Sequence, residues 1–301
     1  MSDYLIRIIS LPRNVRALAC VSTDLVRQGC LMHQTLPTAS VALGRALTGA
    51  ALMGALLKRG QRVSMKFEGN GPLRKIIVEG ESDGRVSGFV AVPTVDLPPR
   101  KGKYDVGGAL GRAGFLTVTK DLGLASPYTS TVQLLSGEIA EDLALYLAES
   151  EQIPSAVALG VYVNDEGEVT KAGGLLLQAI PPYDDSTLEM LTTRINEMPS
   201  ITAQLRVGVT PEEMLETLFA GIPYEHLERT PLRFECTCSF PRIERMLVSL
   251  GPSELEILAE QGGSEVTCEF CRKEYQVTAE ELRRLILEVT STTVSNDEEG
   301  R

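Results

Sequence analysis

Cys236-Thr237-Cys238 and Cys268-Glu269-Phe270-Cys271 hold four of the six cysteines of the chain, in two tight pairs twenty-nine residues apart. Four soft thiolates at such spacing suit one tetrahedral Zn²⁺. The same thiols can instead close two short-range disulfides, and the pairing argues against four unrelated buried thiols. Spacing alone favours a permanent structural staple, because most all-cysteine zinc sites are structural. Two features point toward a switch. C-x-C is tighter than the C-x₂₋₄-C of ordinary zinc ribbons. A disulfide across it closes a very small ring, and strained disulfides are the labile ones. Thiolates are also the forms that oxidants attack.

Working outward, residues 242–250 read as a helix stopped by Gly251-Pro252, and Ser253 with Glu256 marks a second helix ending near Gly262-Gly263. Thr278 with Glu281 caps a final amphipathic helix at 279–289, and 295–301 form a polar tail expected to be disordered. No apolar core of useful size is evident around 236–271, so the module is expected to fold only with its metal.

Upstream, Pro181-Pro182-Tyr183-Asp184-Asp185 marks a boundary. Residues 183–230 carry nine acids against three bases and read as short capped helices. Leu188, Leu191, Ile195 and Met198 repeat at helical steps behind a possible Ser186/Glu189 box. Thr210-Pro211-Glu212-Glu213 starts another helix, with Leu215, Leu218, Phe219 and Ile222 on its apolar face. Helices this short do not persist alone in water, so this segment is a candidate for easy local unfolding.

The first 180 residues read as an α+β domain. Residues 36–58, opened by Pro37, form a helix buried on most sides. Residues 62–68, 73–79 and 85–92 form a meander, reversed at Asn70-Gly71 and Asp83-Gly84. After a proline-rich loop at 93–103, strands are expected at 115–119, 129–135, 157–163 and 175–180. A helix at 138–149 is expected to take Ser136 as its N-cap.

The chain has a net charge of −11, unevenly spread: +1 over residues 1–180 and −12 over 181–301. An acidic half argues against nucleic acid as a partner. No apolar run is clean enough to span a bilayer, and the N-terminus has no signal-peptide pattern, so a cytoplasmic, reducing compartment is expected. Gly107-Gly108-Ala109-Leu110-Gly111 lacks the register of a phosphate loop and reads as a turn. His33, His226, Cys20, Cys30 and Asp184-Asp185 read as ordinary core or surface residues.

The cysteine pattern resembles that of the redox-regulated heat-shock chaperone family, the 33 kDa chaperonins. The resemblance extends to Gly69-Asn70-Gly71-Pro72-Leu73, the Tyr128–Gln133 segment, Ser150-Glu151-Gln152-Ile153-Pro154-Ser155-Ala156-Val157 and Gly173-Gly174-Leu175-Leu176-Leu177-Gln178. It implies a non-enzymatic, ATP-independent holdase. One Zn²⁺ per chain is held by Cys236, Cys238, Cys268 and Cys271 in a reduced, inactive monomer. Oxidation with heat unfolding releases the zinc, forms Cys236–Cys238 and Cys268–Cys271 disulfides, and yields a dimer that binds unfolding proteins. With the boundaries read above, this gives a core domain at 1–180, a metastable helical linker at 181–230 and a redox-switch zinc domain with a polar tail at 231–301. Client-binding candidates are Leu191, Ile195, Leu215, Leu218 and Phe219. Two other readings are a zinc-stabilised thiol oxidoreductase using Cys268 and Cys271, and a constitutive zinc-bearing interaction module. The first lacks the βαβ setting and helix start that a thioredoxin-like nucleophile needs.

Overall fold

The computed structural model describes residues 2–183 and 185–298, which include neither Asp184 nor the last three residues of the expected tail. The chain divides into two compact units, Met1–Glu235 and Cys236–Arg301.

The first unit begins with β1 (Tyr4–Ser10), β2 (Val15–Val21), α1 (Thr23–His33) and α2 (Pro37–Gly54). Then come β3 (Arg62–Gly69), β4 (Lys75–Glu81), β5 (Arg85–Val90), α3 (Val106–Leu110), β6 (Gly114–Asp121) and β7 (Tyr128–Gln133). Next are α4 (Ala140–Glu149), β8 (Ser155–Val163) and β9 (Val169–Ala179). It ends with α5 (Asp185–Glu197), α6 (Ile201–Arg206), α7 (Pro211–Leu218), β10 (Glu225–Pro231) and β11 (Arg233–Phe234). The strands form two sheets, ordered β10-β1-β2-β9-β8 and β11-β5-β4-β3-β6-β7.

Helix α2 touches strands of both sheets. Sixteen of its eighteen residues are buried, which accounts for its Ala/Gly-rich composition. Small side chains allow close approach: a Cβ on Gly80 of β4 would sit 2.1 Å from the Ala50 carbonyl oxygen of α2. The principal core gathers around this helix and includes Leu5, Leu18, Phe67 and Val78.

The first sheet is apolar on both faces. Leu5, Leu18 and Leu176 point into the principal core. Tyr4, Ile6, Ile8, Val15, Ala17, Ala19, Val21, Leu175 and Leu177 point the other way, into a second cluster formed with α5, α6 and α7. The predicted linker helices therefore lie as a lid on the sheet's outer face.

Several expectations change. Strands β1 and β2 and helix α1 occupy residues left unassigned in the sequence reading. The strands are buried on both faces and carry no clean polar alternation. Residues 225–230, the end of the stretch read as short capped helices, form β10 with Pro231 instead, because the β1 edge offers a ladder that this mostly exposed segment completes. Residues 231–235, grouped by sequence with the cysteine module, fall in the first unit: β11 runs parallel to β5 there. Ahead of α4, Asp142 rather than Ser136 does most of the capping. Its carboxylate accepts from the backbone N–H groups of Leu135, Ser136, Gly137 and Ile139.

The second unit contains α8 (Phe240–Val248), α9 (Pro252–Glu260), a hairpin of β12 (Gly263–Thr267) and β13 (Glu274–Thr278), and α10 (Ala279–Glu298). The Thr278/Glu281 capping box forms as expected, but α10 runs nine residues further than its sequence pattern suggested. The unit also has a small core of its own: Ile243, Leu247, Leu255, Ala259, Tyr275, Val277, Leu282 and Leu285. Much of this core comes from residues outside 236–271, which is why the sequence around the cysteines seemed to lack one.

Candidate metal centre

Cys236 and Cys238 lie on the irregular segment ahead of α8, and Cys268 and Cys271 on the turn between β12 and β13. That turn is fixed by its backbone. Cys268 N–H donates to the Lys273 carbonyl (2.9 Å) and Arg272 N–H to the Cys268 carbonyl (2.8 Å). Arg272 takes a left-handed conformation (φ 57°) to close it.

The four sulfurs lie within 4.8 Å of one another, and none of the four residues is fully exposed. Cys236 Sγ is 3.8 Å from Cys268 Sγ, and Cys238 Sγ is 3.3 Å from Cys271 Sγ. A tetrahedron with metal–sulfur arms of about 2.3 Å has edges of about 3.8 Å, so this donor set fits Zn²⁺. Disulfide sulfurs would stand at about 2.05 Å; all six cysteines are free thiols here.

Electrostatics support the same reading. Burial pushes the Cys236 thiol upward, and charge on Cys268 and Cys271 adds to this. Burial raises Cys271 to about 11. Cys238 goes the other way: burial opposes its ionisation, but hydrogen bonds from Tyr275 and the neighbouring thiols outweigh that and lower it. Negative charges on sulfurs this close repel one another, and a divalent cation among them removes the conflict.

Tyr275 is the functional residue that the sequence reading missed. Its hydroxyl donates to Cys238 Sγ at 3.1 Å, and Lys273 Nζ sits 4.9 Å from its ring centre. The signal was present in Glu274-Tyr275-Gln276-Val277-Thr278, where strand alternation points Tyr275 and Val277 inward together.

Of the client-binding candidates, Leu191, Leu215, Leu218 and Phe219 are buried and Ile195 partly so, all in the lid cluster. The residues set aside behave as ordinary ones. His33 is buried, and His226 stacks edge-on with Tyr224. Burial pushes Cys20 up to about 12 and also raises Cys30, which leaves both thiols unreactive. The glycine-rich stretch forms α3, whose N-terminus Asp105 caps through Gly108 N–H.

With this geometry in view, comparison with known proteins is decisive. The family described as Hsp33 protein matches residues 3–278. The chain belongs to the Hsp33 family. It is 58% identical over 286 residues to the "33 kDa chaperonin" of Geobacter sulfurreducens, covering 95% of each chain. Identity to the protein of the same name from Citrifermentans bemidjiense is 54%, over 96% of this chain and 98% of that one. The crystal structure of the 33 kDa chaperonin (HSP33) from Thermotoga maritima superposes with a TM-score of 0.84 at 37% identity, covering 96% of this chain and 99% of that one. The Hsp33 relatives are thus named as chaperonins, and no helix among the described residues is long and apolar enough to cross a membrane.

Proposed function

We propose that this Hsp33 member is a redox-regulated, ATP-independent holdase of the cytoplasm, switched on by oxidation of its four-cysteine centre. The carrying observation is the doubly apolar first sheet, whose outer face is covered, among the described residues, by the short helices α5, α6 and α7 and the turns beside them. If they lift, nine apolar side chains of β1, β2 and β9 become available, together with the lid's own Leu191, Ile195, Leu215, Leu218 and Phe219.

Zn²⁺, one per chain, would supply four bonds that cross-link the segment ahead of α8 to the turn between β12 and β13. Cys236, Cys238, Cys268 and Cys271 hold it as thiolates. Peroxide accepts two electrons from a pair of these thiolates and, with two protons, leaves as two waters while one S–S bond forms. A second peroxide joins the other pair. The family resemblance selects Cys236–Cys238 and Cys268–Cys271. All four sulfurs are close enough for any pairing after a small shift. Sulfurs so joined would no longer offer thiolates to hold a metal, and the unit would be left with its eight-residue core. The lid follows with heat, and the open form dimerises and holds unfolding proteins.

The thiol oxidoreductase alternative gains nothing from the geometry, since Cys268 and Cys271 sit on a hairpin turn and not at a helix start. Light scattering of a heat-unfolded client tests the reading, with the protein either zinc-loaded and reduced or peroxide-treated. Suppression of aggregation only after oxidation is expected. Equal behaviour of both forms would indicate a constitutive zinc module, and disulfide exchange with turnover would indicate an enzyme.

A further inference from the structure

A cleft of about 620 Å³ opens on the first unit between α2, the loop ahead of α3 and the start of α4. Five basic residues line it: Arg45, Arg100, Lys101, Lys103 and Arg112. Arg45 is held by Glu138 on the α4 side, and its buried Nε has no hydrogen-bond partner. The side chains of the other four have no ion-pair or hydrogen-bond partner among the described residues.

The acids in the same cleft are mostly committed. Glu138 takes Arg45 on one oxygen and Gly107 N–H on the other, and Asp105 accepts from Gly108 N–H. Only Glu141 remains without a partner among the described residues. Four uncommitted cations thus face one uncommitted acid around a single concavity, on a chain whose net charge is −11. Like charges gathered this way repel, and low-dielectric walls focus their field into the cleft.

Three of the cations are placed by a tight turn. Arg100 and Lys103 exchange backbone hydrogen bonds of 2.7 and 3.1 Å, with Lys101 and Gly102 between them at φ 52° and 72°. Positive φ at both central positions is the geometry of a two-residue hairpin turn. The turn holds Arg100, Lys101 and Lys103 at one side of the cleft as an ordered basic tip.

We propose that this cleft binds a compact, multiply charged oligophosphate. One phosphate would satisfy one or two of these cations, whereas a short chain of phosphoryl groups can reach several. Guanidinium groups at Arg100 and Arg112 match phosphate oxygens in pairs. Long nucleic acid fits less well, because residues 1–180 carry only +1 in all, which leaves little basic surface beyond the cleft. The site lies apart from the cysteines and does not depend on the redox reading.

Isothermal titration of the reduced, zinc-loaded full chain with sodium tripolyphosphate tests this. Binding is expected in the micromolar range at about 50 mM salt, weakening steeply as salt rises. Lys101→Ser/Lys103→Ser and Arg112→Ser, all at exposed positions, should each lose at least about tenfold in affinity. Their melting curves and zinc content should match the wild type. ATP run in parallel separates the sources of the phosphate chain. Equal affinity assigns recognition to phosphate alone, and tighter ATP binding adds a contribution from the nucleoside; either supports the site. A dissociation constant above about 1 mM for tripolyphosphate, or variants that bind like wild type, overturns the proposal. So does a single-stranded oligonucleotide that displaces tripolyphosphate at lower phosphate concentration, since the site would then be a nucleic-acid interface.

Discussion

Phe219→Ala tests the lid directly. Phe219 is about 1% exposed, seated in the cluster between the lid helices and the outer face of the first sheet. Its ring lies 5.6 Å from that of Tyr224, edge-on at 66°. Deleting a buried phenylalanine side chain costs about 3–5 kcal/mol, cavity included. Segments that open locally do so at free energies below the global 5–15 kcal/mol or so of a domain. The loss therefore falls on the lid's own opening equilibrium, raising it by about two to four decades. Arg194 opposes the change, since it still ties α5 to the Leu218 and Ala220 carbonyls at 2.8 Å each. Amide hydrogen exchange over residues 185–222, in reductant and with zinc bound, should show protection falling by that order, while α2 stays protected. The same sample should suppress client aggregation without oxidant. Val207→Ala, at an 80% exposed position of the same segment, is the control and should change neither. A variant whose lid exchanges freely yet holds no client would refute the view that the covered face is the binding surface. Unchanged exchange would refute the view that the lid is marginal.

Cys268→Ser removes one of the four proposed zinc donors and should weaken zinc retention, read by competition with a chromogenic chelator. It should also lower the protease resistance of 185–222 in reductant, and an unaltered digestion pattern would count against coupling. Tyr275→Phe takes away the donor at 3.1 Å from Cys238 Sγ. Hydrogen bonds to charged groups are worth about 1.5–3 kcal/mol, so peroxide-driven zinc release should quicken by about tenfold or more, and an unchanged rate would rule out shielding by the phenol. Asp3 is raised to about 6 from 3.8 by burial, which outweighs the hydrogen bond from Leu25 N–H. Between those values the folded chain keeps a proton that the unfolded chain has lost, so stability falls as pH rises through about 4 to 6. The cost above that window is at most about 3 kcal/mol. Asp3→Asn should abolish this slope in melting curves and raise stability at neutral pH.

What could be read in advance follows the physics of each element. The cysteine cluster was legible because metal chemistry constrains spacing directly, and Thr210/Glu213 and Thr278/Glu281 because capping is local. The meander β3-β4-β5 was legible from its alternation and its Asn-Gly and Asp-Gly reversals. Strands β1 and β2 were not. A sheet buried on both faces has no polar beat, and Leu5, Ile6 and Ile8 in sequence look like any apolar run. Strand β10 was hidden for the opposite reason: Glu225, His226, Leu227, Glu228 and Arg229 are all exposed, and only the free edge of β1 makes them a strand. Tyr275 was hidden because a phenol's partner is settled in space and not in sequence.

Of the missed strands, β10 bears on the proposed switch, because with β11 it forms the stretch of chain between the lid and the cysteines. After β10 leaves β1, Leu232 N–H bonds the Asp3 carbonyl at 3.0 Å, and Leu232 and Phe234 enter the principal core. Glu235 N–H then bonds the Val86 carbonyl at 2.9 Å, and Cys236 is the next residue. If oxidation disorders the cysteine unit as proposed, disorder running toward the N-terminus would meet this clamp before it reached α7. A chain with a plain flexible tether would pass every loss of zinc straight to the lid, or pass none. A clamp built from two edge strands and two buried side chains gives a threshold instead. Under the proposed mechanism, oxidation would unfold the second unit, and a second stress such as heat would still have to loosen the strap. The need for both is what a five-stranded sheet with an apolar outer face requires, since exposing that face in unstressed conditions would invite self-association.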